Sequence, residues 1–307
     1  MKTKLYSVLA FALILVLLGG LGCGDKNGIG SNETTPNITS PPQVSNIDVS
    51  SADITWQTDV AANSVVYYDT TSGHYALSEI KDTKTTTHTV QLSNLATNTT
   101  YYFVAESQNS GGKATAAEMS FTTQKTFTEL YQAAWFSYEN NNYQAAIDYF
   151  NEILSQRPTF ADAFNGLGWC YAANAIDSLN LALANFKLAT TYDPNNLPAV
   201  AGSGFVNLAK KHYTTASEDL AKVLQNNLNF VFVHNAKINA SSIRLGLAEA
   251  YFFRQKYPQA QVQLDYLAPQ NGLNPTQAAT WMVDDVVFAS YPEALLVWLE
   301  KLKSLIG

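Results

Sequence analysis

Hydrophobic and polar positions change period once along the chain. From Asp53 to Thr122 they alternate, as in Asp53-Ile54-Thr55-Trp56, Ser64-Val65-Val66-Tyr67-Tyr68, His88-Thr89-Val90-Gln91-Leu92, Tyr101-Tyr102-Phe103-Val104-Ala105 and Glu118-Met119-Ser120-Phe121-Thr122. A period of two turns one side of an extended segment toward a core, and Gly73, Asn94, Asn98 and Gly111-Gly112 punctuate the runs. Short strands separated by turns over this length predict a sandwich of two sheets. After Thr126 the pattern is helical and a phrase recurs, Tyr-x-x-Ala, at Tyr143 to Ala146, Tyr213 to Ala216, Tyr257 to Ala260 and Tyr291 to Ala294. Leu179 takes the tyrosine's place before Ala182, and successive alanines lie 36, 34, 44 and 34 positions apart. A period near 34 is that of stacked helix pairs, none of which can bury its apolar side alone.

A small residue precedes the alanine by twelve positions in three copies, as Ala134, Gly204 and Ala248, and by fourteen in the copy with Gly168. Small residues facing each other let antiparallel helix axes approach closely. The interval of 44 reflects an insertion around Asn229-Phe-Val-Phe-Val-His234, readable either as an irregular loop or as a helix extension. In the fifth copy Met282 stands at the small position, and Asp284-Asp285 reads as an exposed helix face. The last helix carries Pro292 in its first turn and a stripe of Leu295, Trp298, Leu299, Leu302 and Ile306, which suits a capping role. Cys170, just before Tyr171, is expected to be a buried thiol.

At the other end, Lys2 and Lys4 precede an apolar run from Leu5 to Leu18 and then Gly19-Gly20-Leu21-Gly22-Cys23. A positive start, an apolar stretch too short for a comfortable span and small residues at a boundary make a secretory leader. The boundary resembles the lipobox of bacterial lipoproteins in Leu21-Gly22-Cys23, with Gly20 departing from it. That resemblance implies cleavage before Cys23, lipid on its sulfur, and, with Gly24 following, sorting to the outer membrane. Residues 23–40 are rich in Gly, Asn, Ser, Thr and Pro and read as a flexible tether. Acyl chains contribute about 0.8 kcal/mol per buried methylene, so the membrane is engaged through the lipid alone.

Two further resemblances rest on motif residues. Trp56, Leu95 and Tyr101 match the strand-B tryptophan, the leucine before the corner and the corner tyrosine of a fibronectin type III domain. This implies a structural spacer, since no Arg-Gly-Asp tripeptide is present. The helical part resembles the tetratricopeptide repeat (TPR): Tyr143, Phe150 and Pro158 in the first copy, Leu167-Gly168, Tyr171, Phe186, Ala189 and Pro194 in the second, and Leu247-Ala248, Tyr251, Leu264 and Leu267 in the fourth. In such arrays the first helices line a concave groove, and the residue after the small position points into it. Here those residues are Trp135, Trp169, Phe205, Glu249 and Val283, with Tyr131, Tyr138, Asn165 and Phe252 at helical spacing beside them. The rings can serve a partner, or pack between helices, or lie beneath the insertion at Phe230 to Val233.

The expected organisation is thus multi-domain: a lipoprotein signal peptide (1–22), a tether (23–40), an all-β fibronectin type III-like sandwich (41–123) and an all-α TPR-like helical repeat array (127–306). The formal charge is −7 and two units lower without Lys2 and Lys4, so the basic stripe that nucleic acid requires is missing. No phosphate loop, His-Glu-x-x-His, Cys-x-x-Cys or Gly-x-Ser-x-Gly appears, and His74 and His88 read as surface histidines rather than metal ligands. The expected function is therefore binding, not catalysis, with no cofactor and no metal. A scaffold in the cell envelope that takes a protein or peptide in the groove comes first. Glycan capture and a noncatalytic subunit of a secreted hydrolase are the alternatives.

Overall fold

The computed structural model describes residues 33–174 and 178–306. The leader and Cys23 lie outside them.

The first unit is a sandwich of β1 (Ile38–Ser45), β2 (Ala52–Asp69), β3 (Leu77–Leu92), β4 (Thr100–Asn109), β5 (Gly112–Thr115) and β6 (Met119–Thr122). β2 and β3 are long because each passes from one layer to the other. The first part of β2 lies between β1 and the end of β3, with Ile54 opposite both Val44 and Val90. Its last part lies between the start of β3 and β4, with Val66 opposite Glu79 and Ala105. The register breaks between Gln57 and Ser64, where the strand bends across the corner. β5 and β6 both pair with β4. Inward positions carry Ile54, Trp56, Val66, Val90, Leu92, Phe103 and Ala105, all at most 2% exposed.

Two sequence expectations change here. His88 is not on the surface: it is fully buried and lies flat against Trp56, ring centroids 4.8 Å apart. Thr58 Oγ1 spends its proton on the Val60 carbonyl, so His88 Nε2–H donates to Thr58 at 2.9 Å and Nδ1 accepts from Ser64 Oγ at 2.7 Å. With both nitrogens satisfied the ring stays neutral, and burial pulls its pKa below 6.5. His74, by contrast, is exposed and pairs with Asp69. Residues 33–40, expected to belong to a flexible tether, are instead tied to the sandwich, and the rest of that stretch lies outside the described residues. Glu33 accepts from Lys84 Nζ and from Ser110, Asn109 Nδ2 donates to the Thr34 carbonyl, and Asn37 N–H donates to Asp59. A side chain at Gly111 would stand 2.0 Å from the Glu33 carbonyl oxygen, so the glycine makes this approach possible.

The helical part is built of antiparallel pairs: α1 (Phe127–Glu139) with α2 (Tyr143–Gln156), α3 (Ala161–Asn174) with α4 (Leu179–Tyr192), α5 (Leu197–Ala209) with α6 (Tyr213–Asn226), and α7 (Ala240–Phe253) with α8 (Tyr257–Leu267). α1 opens on a capping box in which Thr126 N–H donates to Glu129 Oε2 and Glu129 N–H donates back to Thr126 Oγ1. In three pairs the turn is the same motif. Asn141, Lys211 and Gln255 sit at φ 60°, 62° and 57°, and the next residue's N–H reaches back to Ser137, Asn207 and Tyr251.

The repeated alanines do what their spacing predicts: Ala134, Ala146, Ala182, Ala216, Ala248, Ala260 and Ala294 are all fully buried. Phe186 of α4 is held between two glycines. An added Cβ would lie 2.4 Å from its ring at Gly168 of α3 and 2.2 Å at Gly202 of α5.

The fifth pair lacks its first helix. Between α8 and α9 (Tyr291–Ile306) the chain forms a 3-10 turn (Ala278–Thr280) and a hairpin of β7 (Met282–Val283) and β8 (Val286–Val287). Asp284 and Asp285 take positive φ as its two-residue turn, not as a helix face, and Val283 is buried in the hairpin rather than aimed into a groove. Asn274-Pro275 and the β-branched valines disfavour a helix here. α9 packs on α7 and α8, burying Leu295, Leu299 and Leu302.

Candidate functional site

The first helices α1, α3, α5 and α7 lie side by side, and their shared face is the candidate site. Its aromatic end is already filled. Between α6 and α7, residues 227–239 form a strap closed on itself: Phe232 N–H donates to the Ile238 carbonyl at 2.8 Å, Ala240 N–H to the Phe230 carbonyl at 2.7 Å, and Val231 bridges Asn239. The insertion is therefore a hairpin-like loop and not a helix extension. Its residues alternate, so Phe230 and Phe232 are buried while Val231 and Val233 are exposed at 52% and 81%.

Phe232 stacks on Trp169 at 5.0 Å and meets Trp135 edge-on at 5.7 Å. His234 lies parallel to Trp135 at 3.8 Å, and its Nδ1–H donates to Glu139 Oε1 at 2.7 Å. Asn235 hydrogen-bonds Tyr138, whose hydroxyl burial pushes up to about 12. Behind the strap, Trp135 packs edge-on to Phe150, and Trp169 to Phe186.

Asp162 ties this end together. It accepts from Tyr131 Oη at 2.7 Å, from Trp135 Nε1 at 3.2 Å and, on its other oxygen, from Asn165 Nδ2 at 2.9 Å. Burial raises the Tyr131 pKa first, and the Asp162 carboxylate adds to it. Three buried side-chain polar atoms have no partner among the described residues, and two of them lie on α3 at this end: Asn165 Oδ1 and, one turn on, Trp169 Nε1; the third is Trp298 Nε1 on α9. Leaving such groups unpaired costs about 1–3 kcal/mol each.

Beyond the strap the face opens. A cleft of about 350 Å3 is lined by Phe205, Leu208, Ile238, Leu245 and Ile306, with Glu249 and Lys303 facing each other at 3.4 Å on its rim. A second, of about 230 Å3, lies between Tyr138, Trp169, Gly202, Phe205 and Asn235.

Of the residues singled out by sequence, Trp135, Tyr138 and Trp169 come together under the strap, with Tyr131 and Asn165 joined to them through Asp162. Phe205 and Glu249 line the open cleft. Phe252 belongs to neither and packs against Phe253 and Tyr257. Of the alternatives stated for the rings, cover by the insertion at Phe230 to Val233 is the one seen at Trp135 and Trp169, through Phe232, while His234 and Asp162 were not singled out by sequence. Among the described residues no cluster of three or more His, Cys, Asp or Glu is placed to hold a metal, and no helix is long and apolar enough to cross a membrane.

Residues 42–123 match the family described as Purple acid Phosphatase, N-terminal domain. No curated protein matches the chain. Among solved structures, a thermophilic TPR protein of Thermus thermophilus is similar at 19% identity over 56% of this chain and 82% of its own (TM-score 0.38). MamA from Desulfovibrio magneticus RS-1 is similar at 14% identity over 58% and 94% (TM-score 0.42). A computationally redesigned β sandwich is similar at 22% identity over 30% and 97% (TM-score 0.25).

Proposed function

We propose that the protein is a scaffold of the bacterial cell envelope, anchored by lipid on Cys23, that binds another protein on the shared face of its first helices. The β sandwich acts as a spacer, and the role is binding rather than catalysis. The observation that carries this reading is the open cleft: apolar walls from three helices and the strap, framed by one acidic and one basic side chain, form a surface that an apolar protein segment would cover. Flat stacking on Trp135 and Trp169 is less available to a sugar ring, because Phe232 and His234 occupy their faces. The likeness of residues 42–123 to a domain of purple acid phosphatases favours one second reading, in which the bound protein is a secreted hydrolase.

The test is affinity capture from an envelope extract with the full chain and with a Phe205→Asp/Leu208→Asp variant that keeps its helical circular dichroism. Loss of a defined protein from the variant is expected. Equal recovery with both would remove the cleft from the account. A Cys23→Ser chain is expected to move from the membrane to the soluble fraction, and unchanged membrane retention would remove the anchor.

A further inference from the structure

We propose that the tip of the strap holds the place of an external ligand: the aromatic end of the face is a seat for an extended segment of the form aromatic-x-His, and the partner binds by displacing residues 231–235, the chain's own copy, while Ile238 stays in the wall of the open cleft. This rests on the scaffold reading above and names the kind of segment it takes.

The strap already makes the contacts such a ligand would make. Its inward side chains alternate as in an extended peptide, Phe232 enters between Trp169 and Trp135, and His234 two residues on covers the Trp135 indole and reaches the Glu139 carboxylate. Its backbone bonds, Phe232 to Ile238 and Ala240 to Phe230, are internal to the loop and its junction with α7. What ties it to α1 and α3 is side-chain contact, so it can leave without unravelling a helix. It is also an incomplete occupant. Trp169, on which Phe232 stacks, keeps its Nε1 unpaired, and Asn165 Oδ1 one turn earlier on α3 is unpaired as well, so a peptide offering a carbonyl to the first and an N–H to the second would satisfy both.

Competition from the tethered strap divides the apparent affinity for an external segment by the fraction of molecules in which the seat is free. The experiment titrates a fluorescein-labelled peptide with the sequence of residues 229–239 into the full chain and follows anisotropy. A Phe232→Ala/His234→Ala chain is expected to bind it at least about tenfold more tightly than the wild type. A peptide with alanine at the same two positions is expected to bind neither. If the double variant loses its helical signal, His234→Ala alone carries the test, with an expected gain of about threefold or more. No gain in a folded variant overturns the proposal. A partner captured by the wild type at full strength while the peptide fails leaves the scaffold standing and removes the strap's role. A peptide that binds while nothing is captured does the reverse.

Discussion

Alanine at Gly202 would place its Cβ 2.2 Å from Cζ and 2.6 Å from Cε1 of Phe186, where carbon atoms ordinarily rest about 3.5–4.0 Å apart. The ring cannot retreat, because Gly168 bounds it on the other side, where an added Cβ would lie 2.4 Å away. Helix propensity alone predicts the opposite outcome, a gain of about 1 kcal/mol for Gly→Ala in a helix interior. Overpacking costs about 1–3 kcal/mol, and a clash on a ring held from both sides belongs at the upper end. The net expectation for Gly202→Ala is a loss of about 1–2 kcal/mol. Urea unfolding followed by circular dichroism measures it. Phe186→Leu should relieve the clash, so the double mutant is expected to retain about 1 kcal/mol more than the sum of the single losses. Stabilisation by Gly202→Ala, or additivity within about 0.5 kcal/mol, would refute the close packing of α3, α4 and α5 on this ring.

Lys211→Gly and Gln255→Gly relax left-handed backbone at two of the equivalent turns and are each expected to stabilise the array by about 0.5–1 kcal/mol in thermal unfolding; a loss would mean that these side chains hold the turns. His88 is pulled below 6.5 by burial, while hydrogen bonds led by those from Lys84 and His74 hold Glu33 and Asp69 at about 2, under 4.5 and 3.8. All three bind fewer protons folded than unfolded, so the sandwich should weaken as pH falls below 6.5 and further as it falls from 4.5 toward 2; a melting temperature flat across that range would contradict the assignments. Cys170, fully buried with its thiol pushed up to about 12, is expected to react with a thiol reagent only at the rate of unfolding, and rapid labelling of the native chain would place it elsewhere.

How far these elements could be read from sequence varies with what specifies them. The repeated alanines were legible because one physical demand, close approach of two axes, recurs at a fixed spacing. His88 was legible too, and was misjudged: it shares the parity of Val90 and Leu92 on β3, and position rather than polarity decided its burial. The missing fifth helix shows the limit of spacing. The interval from Ala260 to Ala294 stays at 34 while a turn and a hairpin fill it, so Asn274-Pro275 and the valines were the better guide. Trp135 and Trp169 lie on the face to which the repeat resemblance assigns them, yet they are buried at 3% and 6% exposure. What covers them is the insertion at Phe230 to Val233, one of three alternatives open from sequence, and no local pattern decides among them because the loop comes from a distant stretch of the chain. The open cleft was the least legible, because Ile238, Leu245 and Ile306 come from a loop and two helices that only the tertiary fold brings together.

Site-specific photo-crosslinking in intact cells tests the central claim most directly. A benzoylphenylalanine replacing Phe205 in the open cleft is compared with one replacing Val262, which is 49% exposed on α8, a second helix of its pair. The account predicts one protein adduct from position 205 and none from position 262. Adducts in equal amount from both positions, or from 262 alone, would contradict it.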